Sequence, residues 1–273
     1  MKTNTLILPL VLALFISCQT DKQKHTEEEQ SRTENFTSND YQSLVALFKE
    51  WRTFEMPPLL DGAPDYTRET FQKRLPQFIE LQKRLTKIDT ANWPVENKVD
   101  WMIVWAEMNG YDFNHRVLQP WVRDPAFYKS VWTYRSDVPA HEGPTHHGTT
   151  ELWTYSFPLS TEDRQRLITD IKVIVPLNTQ AKRNLTGNAR DLWVAGIRDI
   201  QNQAADLEEL KKESSLQDDV EMLKLIDEVI ASTNDLASWL ETESKSKTGP
   251  SGIGKENYTW YMQNVHLVPL TWE

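Results

Sequence analysis

The chain has 273 residues, with 40 acidic against 30 basic side chains and a formal net charge of −10. That balance, without a Lys/Arg stripe, excludes the electrostatic footprint of a nucleic-acid binder and leaves no polybasic handle for anionic lipid. Gly-x-Gly-x-x-Gly and phosphate-loop patterns are absent, so nucleotide binding has no support, and there is no Gly-x-Ser-x-Gly elbow for a serine nucleophile.

The N-terminus opens Met1-Lys2-Thr3-Asn4-Thr5, followed by an apolar run from Leu6 to Ile16 and then Ser17-Cys18. A short positive start before a brief aliphatic run is the layout of an export signal. The run falls short of the roughly 20 apolar residues a spanning helix needs. Phe15 stands where an Ala-x-Ala cleavage site would need a small residue, and Phe15-Ile16-Ser17-Cys18 instead resembles a lipobox, with Phe in place of the commoner Leu. Cys18 is the only cysteine, so no internal disulfide competes for it. The reading is a lipoprotein signal over 1–17 with lipid attached at Cys18, and a membrane partner reached through that anchor. Residues 18–39 are charged and nearly free of apolar side chains, the composition of a disordered tether. Gln19 rather than Asp after the cysteine points to the outer membrane of the cell envelope.

From residue 40 to 273 the periodicity is helical, and the expected fold class is all-α. The expectation is an irregular multi-helix bundle with kinked helices, one long antiparallel hairpin and a Pro-rich loop region. Asp40 caps a helix through about Phe54, stopped by Met56-Pro57-Pro58. A second helix from about Thr67 to Ile88 carries Phe71, Leu75, Phe78, Leu81, Leu85 and Ile88 on one stripe, with a kink or restart at Pro76. Pro94 suits the first turn of a third helix reaching about Leu118. Pro120, Pro125, Pro139, Pro144 and Pro158 make 120–158 irregular. Ser160 and Asp163 form a partial capping box for a helix that passes Pro176 with another kink. The stripe Trp193, Ile197, Ile200, Ala204, Leu207 and its partner Met222, Ile226, Val229, Thr233, Leu236, Leu240 flank a break at Ser214-Ser215 and predict the hairpin. Lys255 to about Leu267 is a last helix. Pro269-Leu270-Thr271-Trp272-Glu273 looks like a turn and the start of another, with Thr271 as cap.

Phe71 to Tyr128 contains Val99-Asp100-Trp101, Ala106-Glu107-Met108-Asn109-Gly110 and the run Arg116 to Pro125. These pieces, with Asp137-Val138-Pro139 and Tyr258 to Glu273, resemble the N-terminal region of the bacterial family catalogued as domain of unknown function 885. The resemblance covers most of residues 70–273. It implies a long, mainly helical, often exported protein assigned by similarity to zinc-dependent peptidases. Family members are about double this length, with the zinc site in the C-terminal half, where a His-Glu pair precedes Pro-Gly-His-His. The resemblance therefore makes this chain an N-terminal portion without independent catalysis, whose C-terminal half is missing or separately encoded. Zinc is implied for the longer members only.

His141, Glu142, His146 and His147 are the candidate metal set inside the chain: three imidazoles and a carboxylate could bind zinc and activate water. The spacing fails His-Glu-x-x-His because position 145 is Thr and Gly143-Pro144 would break the helix. A polar loop is the competing reading, and the broken spacing favours it. Asp100 and Glu107 lie on an otherwise apolar helix; acid–base work is one reading, and structural ion pairs with Arg116 and Arg123 the preferred one. The tryptophans Trp51, Trp93, Trp101, Trp105, Trp121, Trp132 and Trp153 could line a groove, but core packing is the simpler use. Three function classes remain: an envelope-anchored N-terminal portion of a metallopeptidase-like protein, a stand-alone helical binding or scaffold lipoprotein, and a small metal-dependent hydrolase working through the 141–147 loop. The substrate is open under each.

Overall fold

The side chain of Asp40 accepts the backbone N–H of Ser43 at 2.9 Å and starts helix α1, Tyr41–Glu55. The computed structural model describes residues 40–135 and 147–273. Cys18, with the whole leader and tether, lies outside them, as do His141, Glu142 and His146.

Thr67 caps α2, Arg68–Thr86, and Pro76 sits inside it without dividing it. Helix α3, Val95–Phe113, begins one residue after Pro94. It passes directly into a π-helical turn, Asn114–Leu118, which ends at Gln119 in the left-handed region (φ 43°). A short α4, Pro120–Arg123, and a 3-10 turn, Pro125–Tyr128, follow.

Two small sheets interrupt the helical chain. β1, Leu59–Leu60, pairs antiparallel with β2, Ala63–Pro64. β3, Val131–Trp132, pairs parallel with β4, Thr150–Glu151.

Ser160 then accepts from the N–H of Asp163 at 3.0 Å and opens α5, Thr161–Lys172. The continuation is a separate helix, α6, Ile174–Asn184, and the break at Val173 has a local cause. Pro176 has no N–H to give the carbonyl of Lys172, four residues back, and its ring crowds that carbonyl. The expected kink is therefore a division of the helix.

The hairpin is α7, Arg190–Lys211, and α8, Val220–Glu243, joined through a 3-10 turn at Ser214–Leu216. Trp193, Ile200, Ala204 and Leu207 face Met222, Ile226, Val229, Thr233, Leu236 and Leu240, all buried. The last helix, α9, spans Lys255–Asn264.

The expected helix start at Thr271 is not formed. Residues 268–273 carry no regular structure; the N–H of Trp272 donates to Thr259 Oγ1, and Lys255 lies 3.5 Å from the Trp272 ring centre. With the bonds from Val268 N–H to the Met262 carbonyl and from Gln263 Nε2 to the Leu270 carbonyl, these contacts hold the segment back along α9 in place of capping.

The all-α expectation holds, and the core divides among three apolar clusters. One joins α4, the Pro125–Tyr128 turn, α6, α7 and α8 around Trp121, Tyr128, Trp193 and Leu236. A second joins α5 and α6 to the far end of the hairpin around Leu167, Ile171, Leu207 and Ile226. The third joins α1, α2 and α3 around Leu47, Trp51, Phe54, Phe78, Leu81 and Met108. No helix among the described residues is long and apolar enough to cross a membrane.

Candidate functional site

Where the α1–α3 cluster meets the rest of the protein, the π-helical turn after α3 brings His115 against three aromatic rings. The centres of Tyr111, Phe71 and Trp121 lie 4.0, 4.5 and 4.8 Å from the imidazole. His115 Nδ1 is 2.7 Å from the carbonyl oxygen of Tyr111. A carbonyl only accepts, so Nδ1 carries the proton and Nε2 is left as an acceptor. Burial pushes His115 down to about 4, so the neutral ring prevails at neutral pH; the Tyr111 carbonyl and Asp112 act against that shift, while Arg74 adds to it. Nε2 is buried and has no hydrogen-bond partner among the described residues. π-Helical turns recur at functional sites because they re-aim side chains at an energetic cost.

Beside it is a cavity of about 30 Å³, lined by Glu55, Tyr66, Tyr111, His115, Trp121 and His147 among others. That volume holds one or two water-sized groups. His147 is also pushed down to about 4, first by burial and then by the positive charges of Arg74 and Arg52. Tyr111 is pushed up to about 12 by burial, and Tyr66 is raised by the same cause. The cavity wall is thus uncharged at its two imidazoles and two phenols, with Glu55 as its carboxylate. Glu55 is in turn engaged by Arg52 at 2.9 Å. The guanidinium of Arg74 lies over the Phe54 ring and donates to the carbonyls of Phe54 and Met56.

A polar frame fixes the far wall. Tyr66 Oη accepts the backbone N–H of His147 at 2.7 Å, and the N–H of Tyr66 donates to Gln180 Oε1 at 3.1 Å. Gln180 Nε2 donates to the Pro64 carbonyl, while Asn184 Nδ2 donates to the Tyr66 carbonyl and to Tyr128 Oη. Tyr128 Oη donates to the Trp121 carbonyl at 2.9 Å. Helix α6 therefore sets both the β2 segment and Trp121 relative to His147. Buried and satisfied networks of this kind rigidify what they join.

The residues singled out from sequence fall unevenly. Of the set His141, Glu142, His146 and His147, His147 alone is among the described residues, and it lines the cavity. Asp100, Glu107, Arg116 and Arg123 do not pair with each other as expected. Asp100 accepts from Tyr41 Oη at 2.5 Å, Glu107 meets Arg52 at 3.3 Å, and Arg116 pairs with Asp112 at 2.6 Å. Arg123 donates to the carbonyls of Leu118 and Ser251. A helical side chain reaches its neighbours one turn away and those on the packed helix, so Arg116 takes Asp112, and α1 supplies Tyr41 and Arg52 to α3. Among the described residues no three His, Cys, Asp or Glu side chains gather as a metal-binding group. His115, Tyr66 and Glu55 were not singled out from sequence; a lone histidine next to a glutamine–proline break was the available signal.

A second concavity, about 280 Å³, lies between α2 and α3, lined by Ile79, Lys83, Leu85, Trp105, Met108 and Asn109 among others. Among the described residues that line it, Lys83 is the only ionisable side chain.

Comparison with family models, with curated proteins and with solved structures finds no match to this chain.

Proposed function

We propose that this chain is an envelope lipoprotein whose helical body acts as a binding module, with the His115–His147 cavity receiving the hydroxyl group of a small aromatic or apolar ligand. The observation that carries the reading is the neutral His115 imidazole beside an aromatic-walled cavity, its Nδ1 turned to the Tyr111 carbonyl and its Nε2 without a hydrogen-bond partner among the described residues. At about 30 Å³ the cavity admits only the hydroxyl end of such a ligand, and a neutral imidazole acceptor asks for a donor. A hydroxyl suits the site better than an ammonium, because Arg74 and Arg52 already make the surroundings of the two imidazoles positive. The metal-hydrolase reading rests on His141, Glu142 and His146, which lie outside the described residues. The resemblance of Phe15 to Cys18 to a lipobox supports anchorage in the envelope, and Gln19 in place of Asp supports the outer membrane.

Phenol and toluene titrations of the full chain, read by melting temperature and tryptophan fluorescence, test the ligand class. Phenol is expected to bind about tenfold or more tightly than toluene, corresponding to one hydrogen bond of about 1.4 kcal/mol to a buried acceptor. His115→Phe should abolish that preference while keeping the fold. Equal affinity for the two probes, or binding of neither, removes the reading.

A further inference from the structure

Helix α3 carries an apolar stripe that the fold covers only in part. Val95, Val99, Met102 and Ile103, then Ala106 and Gly110, recur at three- and four-residue steps and so share one face. The C-terminal half of this stripe is closed: Ala106 and Gly110 are buried, Asn109 Nδ2 donates to the Asn264 carbonyl, and Phe113 stacks on Trp260 of α9 at 5.4 Å. The N-terminal half is open. Val95 is 74% exposed, Val99 48%, Met102 43% and Ile103 47%; Leu75 and Ile79 of α2 are exposed at 46% and 40%. Scattered exposed apolar residues need no explanation, but a helical face of four consecutive stripe positions does.

The entry point of the chain indicates what meets this face. Tyr41, the first residue of α1, is fastened to α3 by its hydroxyl on Asp100 at 2.5 Å and packs edge-on against Trp93 at 5.9 Å. Asp100 belongs to the same N-terminal half of α3, about 100° round the helix from Val99, so Asp40 stands at the end of α3 that carries the open stripe. The tether between Cys18 and Asp40 has 21 residues. A segment of that length, with the composition read as a tether, would average about 25 Å end to end as a flexible coil and so would keep the face close to whatever holds Cys18. Trp101 and Trp105 of α3, and Trp93 just before it, are half-buried against the α1–α3 cluster and so leave the stripe itself to Val95, Val99, Met102 and Ile103. Lys83 and Lys98 stand beside the face with aliphatic stems that can lie along it.

We propose that the open half of the α3 stripe seats on the phospholipid surface to which the chain is anchored, inserting Val99, Met102 and Ile103 into the headgroup–acyl boundary. The contact is apolar and shallow, as for interfacial helices, and does not depend on anionic lipid. It rests on the lipid-anchor reading of Cys18.

The test uses the full, acylated chain in phosphatidylcholine vesicles, with an environment-sensitive fluorophore on Ile103→Cys or, as control, on Val220→Cys at the start of α8. Both positions are exposed, so labelling leaves the core intact. Mass spectrometry of the N-terminal peptide first reads acylation of Cys18; an unmodified cysteine overturns the anchor and this proposal with it. With the anchor present, the expected result is a blue-shifted probe at 103 that a lipid-phase nitroxide quenches at least threefold more than the probe at 220. Equal quenching at the two positions overturns the docking while leaving the anchor standing. Shielding of 103 from aqueous iodide without nitroxide quenching also overturns it, because the face is then covered by protein and not by lipid.

Discussion

The imidazole of His115 lies against the ring of Tyr111 at 4.0 Å while its Nδ1 meets the carbonyl oxygen of the same residue at 2.7 Å. One residue thus supplies both the apolar contact that keeps the imidazole neutral and the acceptor that fixes its tautomer. The pH consequence follows from the lowered pKa. With a folded value of about 4 against 6.5 unfolded, the unfolded chain binds more protons between those limits, so stability is complete above pH 6.5 and is lost as pH falls toward 4. His147 has the same sign. Asp124 and Asp206 have the opposite sign, so a wild-type profile alone mixes the effects. His115→Phe isolates one group. Urea denaturation should show the stability difference moving in favour of Phe by about 2 kcal/mol between pH 7 and pH 4.5, the full shift being discounted for partial exposure. A difference that stays constant with pH would sink the assignment of a neutral His115.

Asp124 presents the reverse case. Its side chain accepts from the N–H of Ala126 at 2.9 Å at the head of the 3-10 turn, and burial pushes it up to about 6, with Asp199 adding to the shift and the Ala126 bond and Arg123 opposing it. A folded value above the unfolded one means that stability is present below about pH 3.8 and is lost as pH rises through about 6. Asn keeps the capping acceptor without the charge. Asp124→Asn should therefore stabilise the protein by about 1–2 kcal/mol at pH 7.5, with the gain vanishing near pH 4. Chemical denaturation at the two pH values checks it, and destabilisation at pH 7.5 would show that the carboxylate is held by more than burial allows.

Gln203 joins the hairpin to the irregular segment before β3. It is fully buried, and its Oε1 accepts from Ser130 at 2.5 Å and from Val131 at 3.0 Å. Leu at this position fills similar space but strands two buried backbone donors. Gln203→Leu should cost about 3 kcal/mol. Hydrogen exchange should place the loss first at the amides of Ser130 and Val131; unchanged protection there would contradict the pairing.

Helix positions, caps and the hairpin were legible because each rests on local chemistry: Asp40 and Ser160 accept the N–H three residues on, and the α7 and α8 stripes repeat at the helical period. Pro176 was legible as a disturbance, though its severity depends on how the neighbouring turn packs. The cavity was much less visible. His147 came forward for metal chemistry, yet its neighbours Glu55, Tyr66 and His115 come from three segments that only the tertiary fold assembles. The partners of Asp100 and Glu107 failed for the same reason: Tyr41 and Arg52 lie more than fifty residues away in sequence, on a helix whose packing angle no periodicity discloses. The tail at Thr271 shows a local signal losing to a contact, where Lys255 and Thr259 hold Trp272 against α9.

Gly196 sets two principles against each other with calculable signs. It lies in the interior of α7, where Ala is worth about 1 kcal/mol more than Gly in helix propensity. It also presses on the 3-10 turn: a Cβ built there would lie 2.6 Å from the backbone N of Ala126 and 2.7 Å from Cβ of Pro125. Pro125 is buried, and both contacts are to the 3-10 turn's backbone or ring, which cannot swing aside as a flexible side chain would. Separating α7 from the turn would also strain the Trp121–Trp193 cluster that the two share. Overpacking of this kind costs about 1–3 kcal/mol and sometimes more. Sterics should win, and Gly196→Ala should destabilise by about 2 kcal/mol in a denaturant titration with an unchanged slope. An increase in stability would mean that α7 and the 125–128 turn stand farther apart than these distances, and that His115, held to the same region through Trp121, sits in a looser cage.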